Sequence, residues 1–169
     1  ENIVLKKSKI NGCVFVMNKG NIKIGANLKV NSGKKYNPIG GDTLFRLICK
    51  ENADIIIGNN VKISNSTIFC TNKITIKSNV MIGGSCKIWD TDFHALDKTI
   101  RDSINDKSNA ISNPIKIEKN VFIGSSTIIL KGVVIGENSI IGAGSVVTRS
   151  IPKNQIWAGN PAKFIRVIN

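Results

Sequence analysis

The stretch Asp90-Thr91-Asp92-Phe93-His94-Ala95-Leu96-Asp97 carries the only histidine of the 169-residue chain and sets it among carboxylates. An imidazole with a pKa of about 6.5 is suited to take a proton from a hydroxyl at neutral pH, and a nearby carboxylate can orient the ring and stabilise its charged form. Asp90, Asp92 and Asp97 are all close enough in sequence to be that partner, and Asp92 is the first choice. Together with Asp102 and Asp106 they make five of the eleven acidic residues, gathered in one segment of a basic protein. The four cysteines, Cys13, Cys49, Cys70 and Cys86, lie far apart among apolar residues without a C-x-x-C pair. That spacing reads as buried free thiols rather than a disulfide framework. One histidine cannot supply a three-histidine metal site, and no cysteine has a second histidine beside it, so neither a catalytic metal nor an acyl-cysteine route is expected.

The elements that must position His94 announce themselves by period. From residue 111 an aliphatic side chain recurs every six positions: Ile111, Ile117, Ile123, Ile129, Ile135, Ile141 and Val147. Four residues after each comes a smaller class, Ile115, Val121, Thr127, Val133, Ser139, Ser145 and Ile151, and Gly124, Gly136 and Gly142 follow three of the aliphatic positions. Glycine there suggests the backbone freedom of a tight corner. A period of six fits neither a helix nor an extended alternation, because a short strand is followed by a turn before the pattern returns. Three such units close a coil of 18 residues, and stacking coils at about 4.8 Å puts each aliphatic row into one continuous core.

Upstream the rhythm is looser. Ile57, Val61, Ile63 and Thr67 hold one phase, Ile76, Val80, Ile82, Cys86 and Ile88 hold it again after a one-residue slip, and Ile24, Leu28 and Val30 look like an earlier rung. Asn37-Pro38 and Gly40-Gly41 mark a turn, and Leu44 to Cys49, which suits helix or strand, is read as strand. From Trp89 to Asn109 the hexad gives way to a polar stretch. A loop of that length in a compact repeat is more often functional than decorative. The expectation is one all-β domain over residues 1–169, a parallel β-helix with a protruding loop at about 89–109.

Lys and Arg outnumber Asp and Glu by 24 to 11, and the resulting +13 draws phosphates, acidic polymers or an anionic membrane surface. With aromatic residues at 5% and no recognition-helix, zinc-finger or base-stacking signature, nucleic acid is not the expected partner. No run of about 20 apolar residues and no signal-peptide pattern is present, so a cytoplasmic protein without membrane insertion is expected.

The hexads, and the stretch from Asn120 to Ile168 almost continuously, resemble the hexapeptide-repeat acetyltransferases of the maltose and galactoside O-acetyltransferase kind. Thr91-Asp92-Phe93-His94 is most similar to members acting on capsule or O-antigen polysaccharides. The resemblance implies coils that wind left-handed, against the usual crossover rule, and a homotrimer with active sites between neighbouring subunits. It implies acetyl-coenzyme A as cosubstrate, a sugar or polysaccharide hydroxyl as acceptor, and His94 as general base. It also implies that the Ser125 N–H stabilises the oxyanion, and that Phe122, Ser125, Ala143 and Thr148 line the coenzyme. Arg149, Lys163 and Arg166 match positions near its phosphates, and Trp157 to Pro161 turn the chain after the last coil. The family's acceptor-binding Asn falls here around Ile63 or Ser64, so Asn65 and Ser66, with Asp90, are the acceptor candidates. Two alternatives stay open: N-acetylation of an amino sugar, and a non-enzymatic basic β-helix that binds nucleic acid or acidic glycan.

Overall fold

In the computed structural model, which describes residues 3–41 and 43–168, each hexad is a short strand followed by a corner. The strands form three sheets, of eight, six and five strands, which are the faces of a prism. The chain visits them in rotation: Lys29–Asn31 lies in the first sheet, Phe45–Cys49 in the second, Asp54–Ile57 in the third, and Lys62–Ser64 returns to the first. Neighbouring strands are parallel until Lys163–Val167, which folds back antiparallel on Gln155–Ala158. The corners from first to second, second to third and third to first sheet stack into three edges, called here the first, second and third.

Register turns the sequence period into a core. Ile82, Ile123 and Ile141 stand over one another on the first sheet, Ile88, Ile129 and Val147 on the second, and Ile76, Ile117 and Ile135 on the third. All are buried in one cluster that runs from Ile22 to Ala162. Burying one such side chain is worth about 1.5–3 kcal/mol, and no coil could do it without its neighbours.

Four details depart from the sequence reading. Ile111 is 45% exposed, and the inward rows begin only at Ile115 and Ile117. Thr67 faces outward, in register with Lys87, because the corner after Ile63 is one residue shorter than its successors; Ser66 takes the buried place. Cys13 is exposed, while Cys49, Cys70 and Cys86 are buried. Gly124 is required by close approach rather than by φ: a Cβ there would lie 2.5 Å from the Ala143 nitrogen of the next coil. The left-handed conformation falls instead on Asn120, Ser126, Gly132, Asn138 and Gly144, six residues apart.

Along the third edge, left-handed asparagines form a ladder. Asn27, Asn60, Asn79, Asn120 and Asn138 each donate a side-chain N–H to the side-chain oxygen of the next, ending at Asn154, over 2.8–3.1 Å. The Leu44 to Cys49 segment is a strand over Phe45–Cys49, preceded by a 3-10 turn at Pro38–Gly40. The polar loop leaves the second edge after Lys87–Trp89 and rejoins the third sheet at Ile115–Ile117. Its base is zipped by an antiparallel bridge between Thr91 and Ser112 and by N–H donation from Asp92 to the Ile111 carbonyl and from Asn113 to the Asp90 carbonyl. No described helix is long and apolar enough to cross a membrane.

Candidate active site

The excursion is held by its own acids, each with a separate task. Asp90 is fully buried at its foot; one oxygen accepts from the Thr71 N–H and hydroxyl, the other from the Asn72 N–H and the Cys70 thiol. Burial, reinforced by that adjacent carboxylate, pushes the Cys70 thiol up and keeps it protonated. Asp97 caps the short helix Lys98–Arg101 by accepting from the Thr99 and Ile100 N–H groups, and the Thr99 hydroxyl followed by the Ile100 N–H holds its carboxyl below the ordinary range. Asp102 pairs with Lys98 one helical turn away. Arg101 donates to the carbonyls of Ala95 and Leu96, which ties the helix back to the histidine.

His94 Nδ1 lies 2.6 Å from Asp106 Oδ2, and the other Asp106 oxygen accepts the Ala95 N–H at 2.8 Å. The imidazole is 60% exposed while the Asp106 side chain is only 15% exposed. The histidine contact first, and the Ala95 N–H second, hold the Asp106 carboxyl below the ordinary carboxylate range. An ionised carboxylate can only accept, so Nδ1 carries a ring proton, and in the neutral imidazole Nε2 is then the nitrogen with the free lone pair. That is the tautomer of a general base.

The partner expected from sequence, Asp92, is therefore not the one at the ring. Its Oδ1 lies 2.7 Å from Lys131 Nζ, at the second edge of the following coil, and its Oδ2 is buried without a hydrogen-bond partner among the described residues. Asp106 sits twelve residues from His94, and only the fold-back of the loop through the helix and the 3-10 turn Lys107–Asn109 unites them. Composition offered it merely as one acid of five.

The acceptor candidates are also reassigned. Asn65 is buried, accepts the Gly33 N–H and donates to the Asn37 carbonyl, which fixes the preceding loop. The Ser66 hydroxyl shares its one proton between the carbonyls of Ser64 and Gly83 and accepts the Cys86 N–H. These two, like Asp90, satisfy backbone groups at corners and have no face left for a substrate. What lies before His94 is a cleft of about 310 Å³ lined by Lys50, Phe69, Thr71, Thr91, Phe93, His94, Lys107 and Ala110.

The coenzyme candidates divide between two edges. Ser125 and Ala143 stack on the first edge of successive coils, joined by the Gly144 N–H donating to the Ser125 carbonyl. Phe122 stands on the outer face of the first sheet between Met81 and Ile140, and exposed Lys163 and Arg166 lie on the antiparallel strand that extends that sheet. Thr148 and Arg149 are exposed on the second edge, away from Ser125. The Ser125 N–H donates to no group among the described residues. Beyond Ala143 the edge is open, since a Cβ on Gly144 would meet nothing within 4 Å. Among the described residues no three histidine, cysteine or acidic side chains gather as a metal site.

Residues 114–149 match the family described as the hexapeptide repeat of succinyl-transferase. The galactoside O-acetyltransferase of Escherichia coli strain K12 is 41% identical over 118 residues, which are 69% of this chain and 56% of that one. A maltose O-acetyltransferase structure from Clostridium difficile 630 has a TM-score of 0.65 at 28% identity, over 99% of this chain and 70% of that chain. A galactoside acetyltransferase structure in complex with coenzyme A has a TM-score of 0.63 at 35% identity, over 84% and 64%. The chain spans about half the length of the first curated relatives it matches. The hexads and the prism they build thus meet in one lineage: the chain belongs to the hexapeptide-repeat acetyltransferase family, and its coils form that family's left-handed parallel β-helix.

Proposed function

We propose that the chain transfers an acetyl group from acetyl-coenzyme A directly to a hydroxyl of a sugar-containing acceptor, of the polysaccharide kind, with His94 as general base. The observation that carries this reading is the His94–Asp106 contact, which engages Nδ1 and so makes Nε2 the basic nitrogen of the neutral ring, on an exposed imidazole that lines a cleft. As the acceptor oxygen attacks the thioester carbonyl, Nε2 takes its proton, and the Asp106 carboxylate stabilises the imidazolium that forms. The negative charge that develops on the carbonyl oxygen needs a donor. The unengaged Ser125 N–H suits that role, and one such donor is worth about 3 kcal/mol. The proton then passes from Nε2 to the departing thiolate, so the histidine ends neutral and no covalent enzyme intermediate is formed.

The small side chains of Ser125 and Ala143 and the open space beyond Gly144 fit a thin pantetheine arm along the first edge. Phe122 would flank it and Lys163 and Arg166 offer cations for the phosphates, while Thr148 and Arg149, on the second edge, would reach the coenzyme from a neighbouring subunit. A structure of the related galactoside enzyme holds coenzyme A. In one chain the His94 excursion springs from the second edge and Ser125 lies on the first. This separation supports a homotrimer in which the excursion of one subunit faces the groove of another.

The test is release of the coenzyme thiol from acetyl-coenzyme A in the presence of sugars, oligosaccharides and polysaccharides. His94→Ala is expected to lower kcat by about 10²–10⁴-fold, the usual worth of a positioned base, while acetyl-coenzyme A affinity stays within a few fold. An assembled His94→Ala protein with near-normal kcat would remove His94 from the chemistry.

A further inference from the structure

The cleft before His94 is furnished for more than a neutral sugar. On the outer face of the second sheet, Ile48, Phe69 and Trp89 stand in register on successive coils. The excursion then folds Phe93 down onto them, with ring centroids 4.9 Å from Phe69 and 5.9 Å from Trp89. Phe93 holds φ at +64°, a left-handed conformation that a bulky side chain rarely adopts, and its N–H donates to the Thr91 hydroxyl. Such strain persists where the surroundings over-determine it, and here it does not serve the core, because Phe93 remains 39% exposed. Its consequence is an aromatic surface beside His94.

Two cations complete the lining. Lys50 and Lys107 have no carboxylate partner among the described residues, although acids are close in sequence to both. Glu51 pairs with Lys19, Asp106 with His94 and Asp92 with Lys131, while Asp90 is buried and saturated. Each of these carboxylates thus has a partner other than Lys50 and Lys107, and the two lysines line a mostly apolar cleft.

We infer that this cleft is an acceptor subsite selective for an anionic sugar, one bearing a carboxylate or a phosphate. This rests on His94 being the base. The C–H face of the ring lies on Phe69 and Phe93, the anionic group engages Lys50 and Lys107 through charge-assisted hydrogen bonds, and a ring hydroxyl is left for Nε2. A nucleic acid fits less well, since the cleft is the size of one sugar ring rather than a groove that tracks a backbone.

The experiment is calorimetric titration of the full chain with three oligosaccharides of equal length: a uronate, a phosphorylated one and a neutral one. At least one charged ligand is expected to bind ten times or more tightly than the neutral ligand, and the better of the two names the anion. The double variant Lys50→Gln/Lys107→Gln should bring charged and neutral binding within about threefold, and Phe93→Ala should weaken all three ligands alike. Equal binding of charged and neutral ligands by the wild type, survival of the preference in the lysine variant, or tighter binding of a short oligonucleotide than of either charged sugar overturns the subsite. The base assignment fails separately: in that case the charge preference is present, yet the wild type releases no thiol from acetyl-coenzyme A with the bound sugar.

Discussion

Replacing Asp90 by alanine separates a corner-building carboxylate from one that binds substrate. The side chain is 0% exposed and accepts at 2.8 Å from each of two backbone N–H groups, those of Thr71 and Asn72. It also accepts from the Thr71 hydroxyl, which in turn meets the Ser112 hydroxyl on the returning limb of the excursion. Asp90→Ala strands both N–H groups in a half-buried corner at about 1–2 kcal/mol each, and with the lost charge assistance the total comes to roughly 2–5 kcal/mol. At about 2–4 °C per kcal/mol for a chain of this size, Tm should fall by roughly 5–20 °C. Asp90→Asn should fall in between, because it keeps the oxygen facing Thr71 and turns an N–H₂ toward the Asn72 N–H. Calorimetry would give Tm, and acceptor KM would be measured well below it. An Asp90→Ala protein whose Tm stays within about 2 °C of wild type while its acceptor KM rises tenfold would refute the structural assignment.

Because Asp106 is held below the ordinary carboxylate pKa of about 3.9, its clasp on Ala95 should be complete above that value and should be lost only as pH falls through the lower folded value. Hydrogen exchange at the Ala95 amide should accordingly stay slow at about pH 5, and loss of protection between about pH 6 and 5 would contradict the sign of the shift. Arg149→Ala and Lys163→Ala should raise KM for acetyl-coenzyme A more than for acetyl-pantetheine, which lacks the nucleotide phosphates; equal penalties would show that neither cation meets phosphate. Light scattering at micromolar concentration should give three chain masses, and a single-chain mass would dissolve the proposed intersubunit site.

The rows from Ile115 to Val147 were legible because nothing interrupts their hexads, so the period alone names the inward side chains. Legibility stopped where one residue was missing: the short corner at Ser64 to Ser66 turned Thr67 outward, and no local signal distinguishes that from a later slip. Gly124 was found for an incomplete reason, since a glycine needed for a neighbour's approach looks in sequence like one needed for φ. At the site, His94 stood out by being the sole imidazole, but proximity along the chain favoured Asp92 over Asp106. The acceptor candidates misled in a common way. A stacked repeat leaves corner N–H groups to satisfy, and Asn65, Ser66 and Asp90 are the polar side chains that do it. The aromatic cleft escaped notice because Phe69, Trp89 and Phe93 come from a strand on one coil, a strand on the next and the loop, and only the register unites them.

The asparagine ladder gives the third edge a direction. Every rung donates from the earlier coil to the later, so the amides line up head to tail, and each bond polarises the next in the same sense. Each rung is also interchangeable with the others, whether 33, 19, 41, 18 or 16 residues separate its partners. The 41-residue span swallows the whole excursion without altering the rung. An edge built this way is indifferent to what the chain does between visits, which lets loops on the other two edges lengthen and change while the scaffold keeps its pitch.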